Sequence, residues 1–210
     1  MPNITTAKEI LAQIAANYPT EQAVMPTGEN VTWAGYISAV KESSNMHRYS
    51  SHALAAAVIP QTIFFDQPEI YGISNLVTAG QLPYDAFIMG FAVEFNTGLA
   101  ATALADAQTF RRETEFNLLI ASKNTPTFPS FTIPSGNGLK MIAADAGAGV
   151  GAVQYAASGI SNNAEVFTRP FFLKQGWQIQ GRMNSAALVA LNAVAVVRLS
   201  IRGIEIRRVG

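Results

Sequence analysis

The stretch Val197-Arg198-Leu199-Ser200-Ile201-Arg202-Gly203-Ile204-Glu205-Ile206-Arg207-Arg208 reads as one long β-strand. Apolar and polar side chains alternate, as they must when successive residues point to opposite faces of a sheet. Leu199 and Ile201 take one face, and Arg198, Ser200 and Arg202 take the other. At Gly203 the parity shifts, and Ile204 and Ile206 assume the apolar role. A glycine at such a shift predicts a β-bulge, one extra residue that re-aims the strand. One face is therefore expected in a core, and the other, bearing arginines, outside it.

Upstream of this strand, back to Pro60, short runs rich in Phe, Ile and Val are broken by Pro, Gly and Asn. Strands are expected over 62–65, 71–74, 86–95, 115–121, 130–133, 139–142, 166–173, 177–183 and 193–208. Many short strands with such punctuation predict a mainly β, antiparallel sandwich or barrel. No helical pattern alternates with them, which argues against a parallel α/β sheet.

Residues 1–59 read differently, as a helical N-terminal arm or clamp preceding a β domain over 60–210. Thr6 and Glu9 form a capping-box pattern, in which each side chain satisfies an orphan backbone donor of the first turn. Ile10, Leu11, Ile14 and Tyr18 follow at helical spacing, and Pro19 stops the helix. A second helix is expected over 32–43, carrying Trp33, Tyr36, Ile37 and Val40. The opening residues show no basic segment followed by a long apolar run, so no secretory signal is expected. Nor does any stretch reach the length of apolar residues that a membrane-spanning helix needs. The Asn3 and Asn30 glycosylation patterns are taken as chance.

Composition narrows the function. The chain has 210 residues, 14 basic and 14 acidic side chains, two histidines and no cysteine. Charged residues make up 13%, against roughly 25% in an ordinary domain. The lack of cysteine excludes disulfides, thiolate metal sites and a thiol nucleophile. Zero net charge argues against recognition of nucleic-acid phosphates, and it favours association. Neutrality is nonetheless a sum over unlike parts. From Arg169 to the end there are seven bases against one acid, +6, so the remainder is about −6. Complementary parts of this kind would steer copies together.

Candidate sites are few. Gly147, Gly149 and Ala152 fit the loose dinucleotide fingerprint, but the strand–helix context and βαβ repeat it requires are missing, so the segment reads as a loop of small residues. His47 and His52 lie five apart with no third ligand nearby. No G-x-S-x-G elbow accompanies a serine. Asp66 and Glu69 are too few for calcium. Glu113 and Glu115 are expected on a strand, ion-paired with Arg111 and Arg112. No catalytic residue, cofactor, metal or small-molecule substrate is expected. The assembly-interface candidates are Ile10, Leu11 and Ile14 on the first helix and Arg198, Arg202 and Arg207 on the last strand.

The order of segments at 75–95, 116–139, 169–183 and 197–208, with the closing Leu-x-Ile-x-Gly-Ile-x-Ile pattern, resembles the jelly-roll capsid proteins of tailless icosahedral bacteriophages, many of them membrane-containing. That resemblance implies a shell-building virion protein without catalytic residues, made in the host cytoplasm. Its partners would be copies of itself, other virion proteins and an internal lipid layer. A single roll fits the length better than a compact double roll. Two rivals remain: a virion spike or carbohydrate- or receptor-binding jelly roll, and a cupin-like enzyme, for which two histidines are too few.

Overall fold

Two sheets are assembled from strands far apart in the chain. The computed structural model describes residues 6–24, 28–96, 102–120, 123–124, 127–130, 139–141, 155–157, 167, 169–185 and 189–207. Its elements are α1 (Ala7–Asn17), β1 (Gln22–Val24), β2 (Asn30–Thr32), α2 (Trp33–Ser38), β3 (Glu42–Leu54), β4 (Thr62–Phe64), β5 (Asp85–Asn96), α3 (Ala103–Glu113), β6 (Thr114–Ile120), β7 (Lys123–Asn124), β8 (Phe128–Pro129), β9 (Leu139–Met141), β10 (Tyr155–Ala157), β11 (Phe171–Leu173), β12 (Ile179–Ser185) and β13 (Ala195–Arg207). One sheet has the order β11-β5-β13-β3; the other has β4-β12-β6-β7, with β8 also paired to β6. Every pairing is antiparallel. The protein is thus mainly β, in the manner of a β-sandwich.

The main core fills the space between the sheets. Alternation decides who enters it: β6 buries Thr114, Phe116, Leu118 and Ile120, and β12 buries Ile179, Gly181 and Met183. Val197, Leu199 and Ile201 of β13 meet them from the other side. Gly181 is small for a reason, since a Cβ there would stand 2.2 Å from the Leu199 side chain. Aromatic rings fill the ends, with Phe95 stacked on Phe110 at 4.2 Å and Phe91 edge-on to Phe128 at 5.2 Å. Phe91 and Phe110 are fully buried and each contributes roughly 1.5–3 kcal/mol, while Phe95 and Phe128 are part-buried and contribute less.

A second core lies on the outside of the four-stranded sheet. There α1 and α2 place Leu11, Ile14, Trp33 and Tyr36 against Phe87, Ile204 and Ile206. The capping box forms as expected: the Thr6 amide donates to Glu9 at 2.7 Å, and the Glu9 amide donates to the Thr6 hydroxyl at 3.3 Å. The Tyr36 hydroxyl donates to the buried Asp85 carboxylate, which also accepts the Gln175 amide at 2.7 Å.

Three sequence readings are corrected. First, the helical region ends at Ser38, not residue 59. Residues 42–54 form β3, which pairs with β13 along its whole length. Its inward positions include Arg48, Ser50 and His52, so polarity conceals the period of two. Second, the bulge at Gly203 belongs to the partner strand. Arg202 pairs with Gly90 and Gly203 with Ile88, leaving Met89 as the extra residue of β5, while β13 stays in unbroken register with β3. The apolar positions of β13 change parity because beyond Ile201 its outer face lies under the helices. Inward, Glu205 is buried and pairs with Arg48, its carboxylate 2.8 Å from Nε and 2.5 Å from an Nη. Third, α3 is a helix that the β reading missed. Its buried face holds Phe110 and, one turn earlier, Asp106, so no apolar stripe announces it. The Asp106 carboxylate accepts from the Asn192 amide (2.9 Å), the Asn192 side chain (2.7 Å) and the Ala193 amide (3.0 Å), tying α3 to the loop before β13. Of the remaining expected strands, 71–74 is a turn, and 131–133 lie outside the described residues.

Three substitutions check this packing by chemical unfolding. A Cβ on Gly203 would meet the Phe87 carbonyl oxygen at 1.9 Å. Backbone cannot step aside as a side chain can, so Gly203→Ala is expected to lose about 3 kcal/mol, the upper end for overpacking. Gly35→Ala, whose Cβ would sit an ordinary 3.4 Å from Thr32 Oγ1, is expected to be neutral or stabilising. Asp106→Ala strands three donors and is expected to cost about 3 kcal/mol, in line with hydrogen bonds to a charged acceptor.

Candidate functional site

The outer face of the four-stranded sheet has two halves. One is covered by α1 and α2. The other, beyond the helices, is polar and is built by register. The pairs Arg202↔His47, Ser200↔Tyr49 and Arg198↔Ser51 across β13 and β3 place six side chains on one surface, and Arg198↔Glu94 adds β5. The Arg198 guanidinium donates to the Ser51 hydroxyl at 2.8 Å, lies 4.8 Å from the centre of the Tyr49 ring and stands 3.6 Å from the Glu94 carboxylate. Ser200 is buried in the middle of this cluster, with no hydrogen-bond partner for its hydroxyl among the described residues.

The β3 edge of this sheet is covered over 47–51. The Ser51 amide donates to the Ile73 carbonyl at 2.7 Å, and the Asn75 side chain accepts from the Tyr49 amide and donates to the His47 carbonyl. Segment 70–75 therefore occupies the hydrogen-bonding groups that an edge strand would otherwise offer to another chain. Exposed apolar side chains gather in loops instead. Ile70, Tyr71 and Ile73 stand on this segment, and Val58 and Val194 stand on the loops that meet at the Val58–Ala190 bridge.

The interface candidates separate on this map. Leu11 and Ile14 are 2% and 3% exposed, inside the second core, and Ile10 is half-buried beside them. Their apolar stripe is answered by the chain's own sheet. Arg198 and Arg202 lie on the polar half-face, and Arg207 reaches past it, its guanidinium 5.0 Å from the centre of the Tyr84 ring. The basic C-terminal stretch is therefore spread over several contacts. Arg169, for example, pairs with Glu21 and lies over Trp33, holding the helical layer down. Sequence reasoning missed Tyr49 and Ser51 because it placed β3 in the helical arm; Glu94 lay on an expected strand, but only the register of β5 with β13 brings it to Arg198. The alternation Asn45, His47, Tyr49, Ser51 was the available signal.

His47 and His52 point to opposite faces of β3. His52 is edge-on to Phe64 at 5.1 Å and 3.3 Å from Asp66. No group of three or more His, Asp or Glu could hold a metal among the described residues. No helix among them is long and apolar enough to cross a membrane. Glu113 closes α3 and pairs with Arg112, while Glu115 lies on β6, so the two acids share no strand. The glycine-rich 147–152 lies outside the described residues. Comparison with protein-family models, with curated proteins and with solved structures finds no match to this chain.

Partial burial against the sheet, followed by the positive charge of Arg202 and, more weakly, Arg198, holds His47 below its ordinary pKa of 6.5 despite the opposing Glu94 carboxylate. A base with a depressed folded pKa favours the fold while neutral. As pH falls below the unfolded value, the unfolded chain takes up a proton first and stability declines. His47→Gln is therefore expected to flatten part of the fall in melting temperature between about pH 7 and pH 5. An unchanged pH profile would show that other groups govern it.

Proposed function

We propose that this chain is a capsid subunit: a structural virion protein with a single jelly roll, which assembles with its own copies into an icosahedral shell. The observation that carries this reading is the pairing order. Among the described residues, β3, β4, β5, β6, β7, β11, β12 and β13 form an eight-strand series. The first pairs with the last, the second with the seventh, the third with the sixth and the fourth with the fifth. Such a series is one long antiparallel ribbon. The β13–β5 and β12–β6 pairings wrap it into two facing sheets, an arrangement that supports the jelly-roll reading. Two rolls would need a second series.

Capsid subunits, lectins and cupins share that fold, so function must be read from the surface. The described surface offers no convergence of acid, base and nucleophile. It offers exposed apolar loop residues on a charge-poor molecule, which suit burial against further protein. Low charge also reduces the desolvation cost of close contact. A sugar-binding module would gather aromatic rings on one surface, yet Trp33 is buried and the exposed Tyr71 and Trp177 stand on turns far apart in the chain. Partners in this reading are other copies, other virion proteins and lipid lying under the shell. Electron microscopy and light scattering of the purified protein are expected to show particles or discrete oligomers. A monomer persisting up to millimolar concentration would overturn the reading.

A further inference from the structure

The start of α1, the start of β3 and the end of β13 enclose an open cleft of about 480 Å3. Lys8, Lys41 and Arg207 line it, against the single acid Glu42. The cleft is a concave surface with three bases to one acid, and among the described residues Lys8 and Lys41 have no ion pair, while Arg207 lies over the Tyr84 ring.

Its complement lies elsewhere on the same chain. Between His52 and Arg111 the sequence has five acids and no Lys, Arg or His. Asp85 and Asp106 are buried, Glu94 faces Arg198 and Asp66 faces His52. Glu69 remains on the loop after β4. Beside it Tyr71 is fully exposed, at 102%, between the part-exposed Ile70 and Ile73. Gly72, at φ +76°, holds the turn that projects it. A protruding tyrosine with apolar neighbours is the type of anchor that protein interfaces bury.

We infer that the Glu69–Tyr71 loop of one copy seats in the basic cleft of the next, Tyr71 entering the cleft and Glu69 facing Lys8, Lys41 and Arg207. The inference rests on the self-assembly reading above. The contact must be between copies. Each loop is fastened to its own β3 at Tyr49 and Ser51, some six residues from the cleft at Ser44, or about 20 Å along an extended strand. Loop and cleft are different patches, so the contact is head-to-tail. It generates rings where the rotation closes and extended arrays where it does not. Charge complementarity gives each contact one orientation.

Charge reversal tests it. Glu69, Lys41 and Tyr71 are exposed, so the variants are expected to fold, which circular dichroism and melting check. Lys41→Glu and Glu69→Lys are each expected to raise the concentration needed for assembly about tenfold, a change of roughly 1.4 kcal/mol. Tyr71→Ala is expected to do at least as much. An equimolar mixture of the two charge variants should recover assembly in part, because each Glu69→Lys loop meets a cleft whose excess positive charge Lys41→Glu has cancelled, and each native loop meets a native cleft. If the wild type assembles and the variants match it, this contact is wrong while assembly stands. Impaired variants that fail to recover on mixing would also overturn the pairing. A wild type that never leaves the monomer would overturn the assembly reading itself.

Discussion

The structure depends on the register at Arg202 and Gly203. There β5 carries one residue more than β13, and the backbone of Phe87 and Ile88 approaches Gly203 so closely that no Cβ fits there. The extra residue, Met89, turns the parity of β5, so that Phe91 and Val93 enter the main core while Phe87 and Met89 enter the second. β13 serves both cores without changing register, giving Leu199 and Ile201 to one and Ile204 and Ile206 to the other. A single pair of strands thus divides the molecule into a sandwich and a helical layer seated on it. Interiors are packed at crystal-like density and yield little to added volume, so this junction fixes where α1 and α2 come to rest.

The buried polar groups belong to the same design. Asp85 binds the helical layer to the turn after β11, Asp106 binds α3 to the entrance of β13, and Glu205 meets Arg48 at the end of the sandwich. Each carboxylate is surrounded by donors, as burial of charge demands. Such groups add less to stability than to uniqueness of arrangement, because a shifted packing would leave them unpaired.

Legibility in the sequence followed side-chain chemistry. β5, β6, β12 and β13 were visible because their inward positions are Phe, Leu, Ile and Val. β3 was not, because Arg48, Ser50 and His52 occupy inward positions and the apolar period vanishes. α3 was hidden likewise by Asp106, a buried acid where an apolar residue would have marked the stripe. The glycine at 203 was recognised as exceptional, yet sequence alone could not tell whether the extra residue lay in its own strand or in its neighbour. Of the candidate surface, Arg198 and Arg202 were legible from alternation. The ring and hydroxyl that hold Arg198 were out of reach without β3. The helix face at Leu11 and Ile14 looked available only because its covering strands are distant in sequence.

The neighbour relation of β3 and β13 sets a timetable. β3 is made well before its longest partner, β13, and β5 also waits for that strand. Until Ala195–Arg207 has emerged, neither core can close and the sheet lacks its centre. Non-local pairing of this kind folds slowly and late. A chain so arranged acquires a finished surface only after β13 has been made.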